Sequence, residues 1–370
     1  MALRIVVHSS PLDLLRAVER SPGADSVLTN HCLGFVFARW LETCSPRAPR
    51  LEKGSNEADK PDEDVEVLVT VSEGDDLRLI FTKLGRAQCE LVSPVAPADV
   101  LDLALPLLAP LVDHLLALEP FSTSPALLRT LYGPLLLVDA FLARWPHPRK
   151  AEPNSPRLPA SIRSAPQRVA FPPEHSLVRI RDVETLSRAE LGAIGQLLVA
   201  FYSTLSTPRS VGDDLVQHAR AMVVRGAFWV YYVPRRPVGV SGCAAEPQLG
   251  RGELEPVAFL QTGRPTLRTC AIRMVYVSPS HQRQGIAQRM VSAVARAHLV
   301  EAPRLAFDLA HGPRVGETDE PTTRFGRKDE VCLSVEPGNT SARRVYAKVG
   351  FEESGDVWAD VDLEGVEPGL

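Results

Sequence analysis

The chain has 370 residues, 45% of them hydrophobic and 23% charged, with a formal net charge of −4. That length exceeds one ordinary core and implies two domains, while the charge gives no global footprint for nucleic acid. Six cysteines lie scattered without a CxxC pair, and no secretory signal accompanies them. Reduced, mostly buried thiols are therefore expected, rather than a zinc site or a disulfide framework. The most apolar run, residues 103–112, is broken by Pro106 and Pro110. It is far shorter than the roughly 20 residues of a membrane-spanning helix. The expectation is a cytoplasmic protein, with the nucleus left open, and with no metal, membrane or nucleic-acid partner.

In chain order, residues 4–8 predict a strand and 11–19 a helix, and 25–44 keep a helical apolar rhythm. Residues 45–64 are polar and read as an insertion. Residues 65–71 and 77–82 form the arms of a hairpin turning at Gly74-Asp75. Helical patterns run over 98–118 and 124–145. No catalytic constellation stands out, so 1–145 reads as a smaller packed α+β domain. Residues 146–174 contain eight prolines and a basic excess. Proline fixes φ and removes a backbone donor, so this stretch is expected to be an extended linker and not a central strand.

The remainder, 175–370, alternates more regularly. Strands are expected at 176–182, 228–233, 237–244, 267–277, 331–335 and 355–361. Helices are expected at 187–203, 211–225, 282–299 and 341–349. Ser187 with Glu190 three residues on is a capping-box signal. Residues 246–268 and 310–330 read as long loops. The order implies an α/β (α+β) fold, a mixed central sheet with helices on both faces.

The densest chemical signal is RMVYVSPSHQRQGIAQRM, residues 273–290. A β-branched and aromatic run (Val275, Tyr276, Val277) is stopped by Pro279. A polar turn through Gln282, Arg283 and Gln284 leads to Gly285 and then to an amphipathic helix beginning Ile286, Ala287, Gln288. A strand, a glycine turn and a helix start present free backbone N–H groups to an anion such as a pyrophosphate. Gly285 would let the backbone approach that ligand closely. A second segment, LSVEPGNTSARRVYAKVGF at 333–351, leads from a strand through Asn339, a candidate cap, into a helix ending at Gly350.

Taken together, V-x-P-x-x-Q-x-x-G-x-A and N-x-x-A-x-x-x-Y-x-x-x-G-F resemble the GCN5-related N-acetyltransferase (GNAT) superfamily. The whole layout resembles a two-domain branch in which a degenerate acetyltransferase-like domain precedes the active one. The resemblance implies the acyl-CoA N-acyltransferase fold over 175–370, with acetyl-CoA as co-substrate and no metal. It implies that the strand at Val275 to Val277 splays from 332–335 to admit the pantetheine arm, that N–H groups from Arg283 to Gln288 hold the pyrophosphate, and that Asn339 hydrogen-bonds the arm. Tyr346 would protonate the departing thiolate. The acceptor would be a small-molecule or protein amine, and a homodimer is left open. Glu255, Glu336, Asp213 and His218 are candidates for the base. Cys270 and Cys332 flank the cleft without His and Asn partners for nucleophilic work. A domain that binds acyl-CoA as a sensor, or serves as a scaffold, is the competing reading.

Overall fold

A computed structural model describes residues 2–44, 65–85, 87–205, 214–225, 227–235, 254–303 and 326–365. The first half runs β1 (Leu3–Val7), α1 (Pro11–Glu19), α2 (Asn30–Cys44), β2 (Glu66–Glu73), β3 (Asp76–Leu84), β4 (Cys89–Val92), α3 (Val100–Leu103), α4 (Leu108–Ala117), β5 (Thr130–Pro134), α5 (Leu135–Leu142) and β6 (Asn154–Ile162). The second runs β7 (Ser176–Ile180), α6 (Arg188–Tyr202), α7 (Leu215–Arg225), β8 (Ala227–Pro234), β9 (Leu254–Gly263), β10 (Thr269–Val277), α8 (Ile286–Arg296), β11 (Glu330–Val335), α9 (Thr340–Val349), β12 (Glu352–Glu353) and β13 (Trp358–Asp362). Local signals explain many boundaries. Ser10 caps α1 through Asp13 N–H, with Pro11 in the first turn. The Ser187–Glu190 capping box opens α6 as expected.

The strands form one mixed sheet in the order β1-β2-β3-β4-β5-β13-β6-β11-β10-β9-β8-β7. That order is a palindrome in which each strand from β1 to β5 has its counterpart among β7 to β11. Among the described strands, the only parallel pair within each half is the corresponding one, β4 with β5 and β10 with β11. The closing strands are exchanged. β13 leaves the second half to pair antiparallel with β5, β6 pairs antiparallel with β11, and the two meet at Trp358↔Arg157. Helices cover both faces. α3, α4 and α5 pack on one face of the first half and α1 with α2 on the other. In the second half α8 and α9 take one face and α6 with α7 the other. Among the described residues no single helix is long and apolar enough to cross a membrane.

Several expectations need correction. The stretch read as a linker, 146–174, contains β6 at the centre of the sheet. Pro159 is tolerated there because its carbonyl accepts from Ser354 N–H at 2.9 Å. Its nitrogen lies on that same side, away from the ladder with β11. The helix expected over 124–145 is a buried strand, β5, turning at Gly133-Pro134 into α5; a leucine-rich run does not by itself separate the two. β4 was not anticipated. The loop expected over 246–268 contains β9, whose Val257, Ala258, Phe259 and Leu260 are buried. The helix expected from Gln282 begins at Ile286, and its last turn, 297–301, is a π turn. The strand at 237–244, Asp213 and residues 310–325 of the second long loop lie outside the described residues.

Candidate active site

The site begins with a parting of two strands. β10 and β11 pair in parallel from Thr269↔Glu330 to Ile272↔Leu333. Beyond that β10 pairs only with β9, after a bulge between Ile272 and Met274, and β11 pairs only with β6. A bulge adds a residue and bends the strand, so the backbones of Met274–Val277 and Ser334–Val335 diverge and leave facing edges unpaired. Val275 and Val277 turn their side chains into the core beneath α8. Tyr276 turns the other way, against Phe259 and Phe201. What these three residues offer a ligand in the gap is backbone.

The turn that follows is held by its own side chains. Gln282 Nε2 donates to Val277 O at 3.1 Å, so this side chain ties turn to strand. Gln284 Nε2 reaches Ser280 O at 3.4 Å. Arg283 has φ +62° and Gly285 φ +74°. Two left-handed residues within three positions make the kind of turn whose successive N–H groups suit an anion. Gly285 is the N-cap of α8, and no side chain caps that end. The N–H groups of Ile286, Ala287 and Gln288 precede the first intrahelical bonds, with the positive end of the helix dipole behind them. A Cβ on Gly285 would touch only the tip of Arg289, at 3.7 Å. Glycine is required there by the left-handed backbone, not by crowding. Arg289, which the sequence reading passed over, returns from the first turn to donate to Gln284 O at 2.7 Å. Its place four residues after Gly285 was the available signal.

The second block closes over the first. Asn339 caps α9, its Oδ1 accepting from Ala342 N–H at 3.1 Å. Gly350 ends the helix at φ +105°. Tyr346, on the same helix, is half-buried and packs on the core that also receives Val275, Ala287 and Ala342. Its ring lies 6.0 Å from that of Phe351. Burial pushes its phenol up to about 12, so it carries its proton throughout the neutral range. The structure thus gathers Val275, Val277, Ile286, Ala287 and Tyr346 on one core cluster, with Asn339 at the start of the helix that carries Tyr346.

The other candidates fare differently. Cys270 and Cys332 are buried, and desolvation raises both thiols, Cys270 to about 11. Neither is a thiolate nucleophile at neutral pH. Glu336 is engaged by Arg157 at 2.6 Å. His218 packs edge-on against Tyr202. Glu255 lies on β9 opposite Val233.

Residues 224–353 match the family profile described as an acetyltransferase (GNAT) domain. No curated protein matches in sequence. Among solved structures, a Drosophila protein is similar over 100% of this chain and 99% of its own, at 10% identity and a TM-score of 0.50. A tandem GNAT protein from the clavulanic acid biosynthesis pathway covers 97% and 98% at 13% identity and a TM-score of 0.43. A GCN5-related N-acetyltransferase from Sphaerobacter thermophilus covers 100% and 97% at 12% identity and a TM-score of 0.46. The segment that holds the parted strands, the left-handed turn and Tyr346 belongs to the GNAT acetyltransferase family.

Proposed function

We propose that the protein is an acyl-CoA-dependent N-acyltransferase that moves an acetyl group from acetyl-CoA to a primary amine by direct attack. The observation that carries this reading is the parting of β10 from β11 beside an uncapped, left-handed helix start. The unpaired edge of Val275–Val277 suits the amide-bearing pantetheine arm, which would add to it as a strand does. The N–H groups from Arg283 to Gln288 suit the pyrophosphate, and Asn339 keeps a side-chain amide donor for the arm. A neutral amine attacks the thioester carbonyl. N–H groups on the β10 edge stabilise the oxyanion; as it collapses the C–S bond breaks, Tyr346 protonates the leaving sulfur, and the proton shed by the attacking nitrogen returns through solvent to the phenolate. Burial keeps the phenol protonated at neutral pH and so leaves it a proton to give, while the raised pKa makes it a weaker acid than a free tyrosine. The palindromic strand order supports reading the first half as a degenerate copy of the second.

Titration with acetyl-CoA by calorimetry, followed by thiol release across a panel of amines, tests the reading. Binding with turnover of at least one amine class is expected. Absence of binding at physiological coenzyme concentrations would overturn it, and binding without turnover of any amine would replace it with an acyl-CoA sensor.

A further inference from the structure

On the face of the sheet opposite α8 and α9, the first half turns polar side chains toward the bulge of β10. Glu90 on β4, Tyr132 on β5 and Asp360 on β13 lie abreast, paired as Glu90↔Tyr132 and Tyr132↔Asp360 across three adjacent strands. Trp358 lies two residues from Asp360 on the same face, its ring 5.7 Å from that of Tyr132. α2 roofs this row. His31 bonds Glu90 Oε1 through Nδ1 at 2.8 Å and lies 4.1 Å, ring to ring, from Tyr132. From the second half comes Arg264, whose guanidinium sits 5.3 Å over the Phe35 ring and whose charge acts on His31, Tyr132 and Asp360. Its backbone is left-handed, at φ +49°, and a Cβ on Gly34 of α2 would fall 2.4 Å from its own Cβ. The close approach of α2 fixes where this guanidinium stands.

The row is incomplete as it stands. Glu90 Oε2, Asp360 Oδ1, Trp358 Nε1 and Arg264 Nε are all buried with no hydrogen-bond partner among the described residues. Glu90 is 4% exposed and Trp358 2%. Leaving a buried polar atom unmet is costly, more so if it is charged, so four such atoms on neighbouring elements mark a place suited to a polar guest. Two are carboxylate oxygens that accept, and two are N–H groups that donate. Burial also raises the Asp360 carboxyl to about 6.

Building on the acyltransferase reading, we propose that this cluster of buried polar groups, contributed by both halves, holds the acceptor, a small zwitterionic amine of amino-acid type. Glu90 and Asp360 take its ammonium, and Arg264 with Trp358 takes its carboxylate. The first half is then part of the acceptor site. Arg273 lies at the β10 bulge, where the parting from β11 begins, and its charge is felt by His31 of the cluster.

Acceptor binding can be read without turnover, by titrating amino acids, their amides and the matching decarboxylated amines into the full chain saturated with coenzyme A. Amino acids are expected to bind at least ~10-fold more tightly than either control, since a buried ion pair left without its partner loses that much. Glu90→Gln keeps the shape and the acceptor for His31, and should weaken all three classes while the affinity for acetyl-CoA stays unchanged. Arg264→Gln should weaken amino acids alone. Equal binding of amino acids and decarboxylated amines, or an Arg264→Gln variant that binds amino acids as the wild type does, would overturn the proposal. Loss of acetyl-CoA binding in the wild type would instead strike the acyltransferase reading itself.

Discussion

The two parallel strand pairs occupy corresponding places in the palindromic sheet, yet one gap is open and the other shut. Between β10 and β11 the pairing stops at Ile272↔Leu333 and the strands diverge. Between β4 and β5 the pairing runs through Cys89↔Leu131 and Glu90↔Tyr132, and a Cβ on Gly133 would fall 2.1 Å from Leu91 O. The helices that follow differ in the same sense. α8 starts from a left-handed glycine without a cap, whereas the segment after β4 enters a 3₁₀ turn through Pro97 and the short α3. α9 starts from Asn339, and α5 from Pro134, which has no side-chain donor. A common topology therefore does not confer a coenzyme site. The β10 bulge, the left-handed turn and a polar cap, on which the proposed coenzyme site rests, all belong to one half.

That contrast can be attacked at several points. Replacing Tyr346 with Phe should lower kcat for thiol release by about 100-fold or more, within the range for loss of a general acid, with the acetyl-CoA Kd unchanged. Retention of full activity would show that the sulfur leaves without this phenol. Replacing Gly133 with Val drives a side chain into the Leu91 carbonyl and should cost about 3 kcal/mol or more. The melting temperature should report this, with little change in coenzyme affinity of the folded fraction. Gly285→Val should do the converse. A β-branched residue in left-handed backbone costs about 1–2 kcal/mol, and calorimetry should show acetyl-CoA binding weakened by about tenfold.

Each half also carries a histidine whose burial lowers its pKa, His31 to about 4 and His298 to about 3, desolvation being the first cause in both. An unfolded histidine takes its proton near pH 6.5, where the folded ones refuse it. Their share of stability is whole above that pH and is lost as pH falls toward 4 for His31 and 3 for His298. Neither ring nitrogen of His298 has a hydrogen-bond partner among the described residues, so His298→Leu should flatten the acid limb of a denaturation series. An unchanged slope would locate the acid sensitivity elsewhere. The smallest effect is expected at Asn339→Ala, about 1 kcal/mol of helix stability from the lost cap, readable as a modest fall in melting temperature.

What the sequence disclosed follows from the range of each interaction. The turn from Gln282 to Gly285 and the helix from Asn339 to Gly350 are set by neighbours a few residues apart, so their type and limits could be read nearly as they stand. The role of Gln282 could not, because its amide folds back on Val277 instead of facing outward. The exchanged strands were hidden because Arg157 meets Trp358 from 200 positions away, and a proline-rich stretch masks a strand when the missing donor faces out of the ladder. β5 was hidden because apolar run length alone decides poorly between strand and helix. The row Glu90, Tyr132, Asp360 comes from three separate strands, and no spacing in the chain announces it.

The exchange of β6 and β13 bears on how the chain is made. The partner that covers the β5 edge is encoded more than 220 residues downstream, at Trp358–Asp362. During synthesis the first half therefore emerges with that edge bare, a template for unwanted pairing. It can finish folding only after the second half has left the ribosome. The two halves thus mature together, and a release of the nascent chain before β13 would leave β5 without its closing strand and β6 without the neighbour it shares with β5.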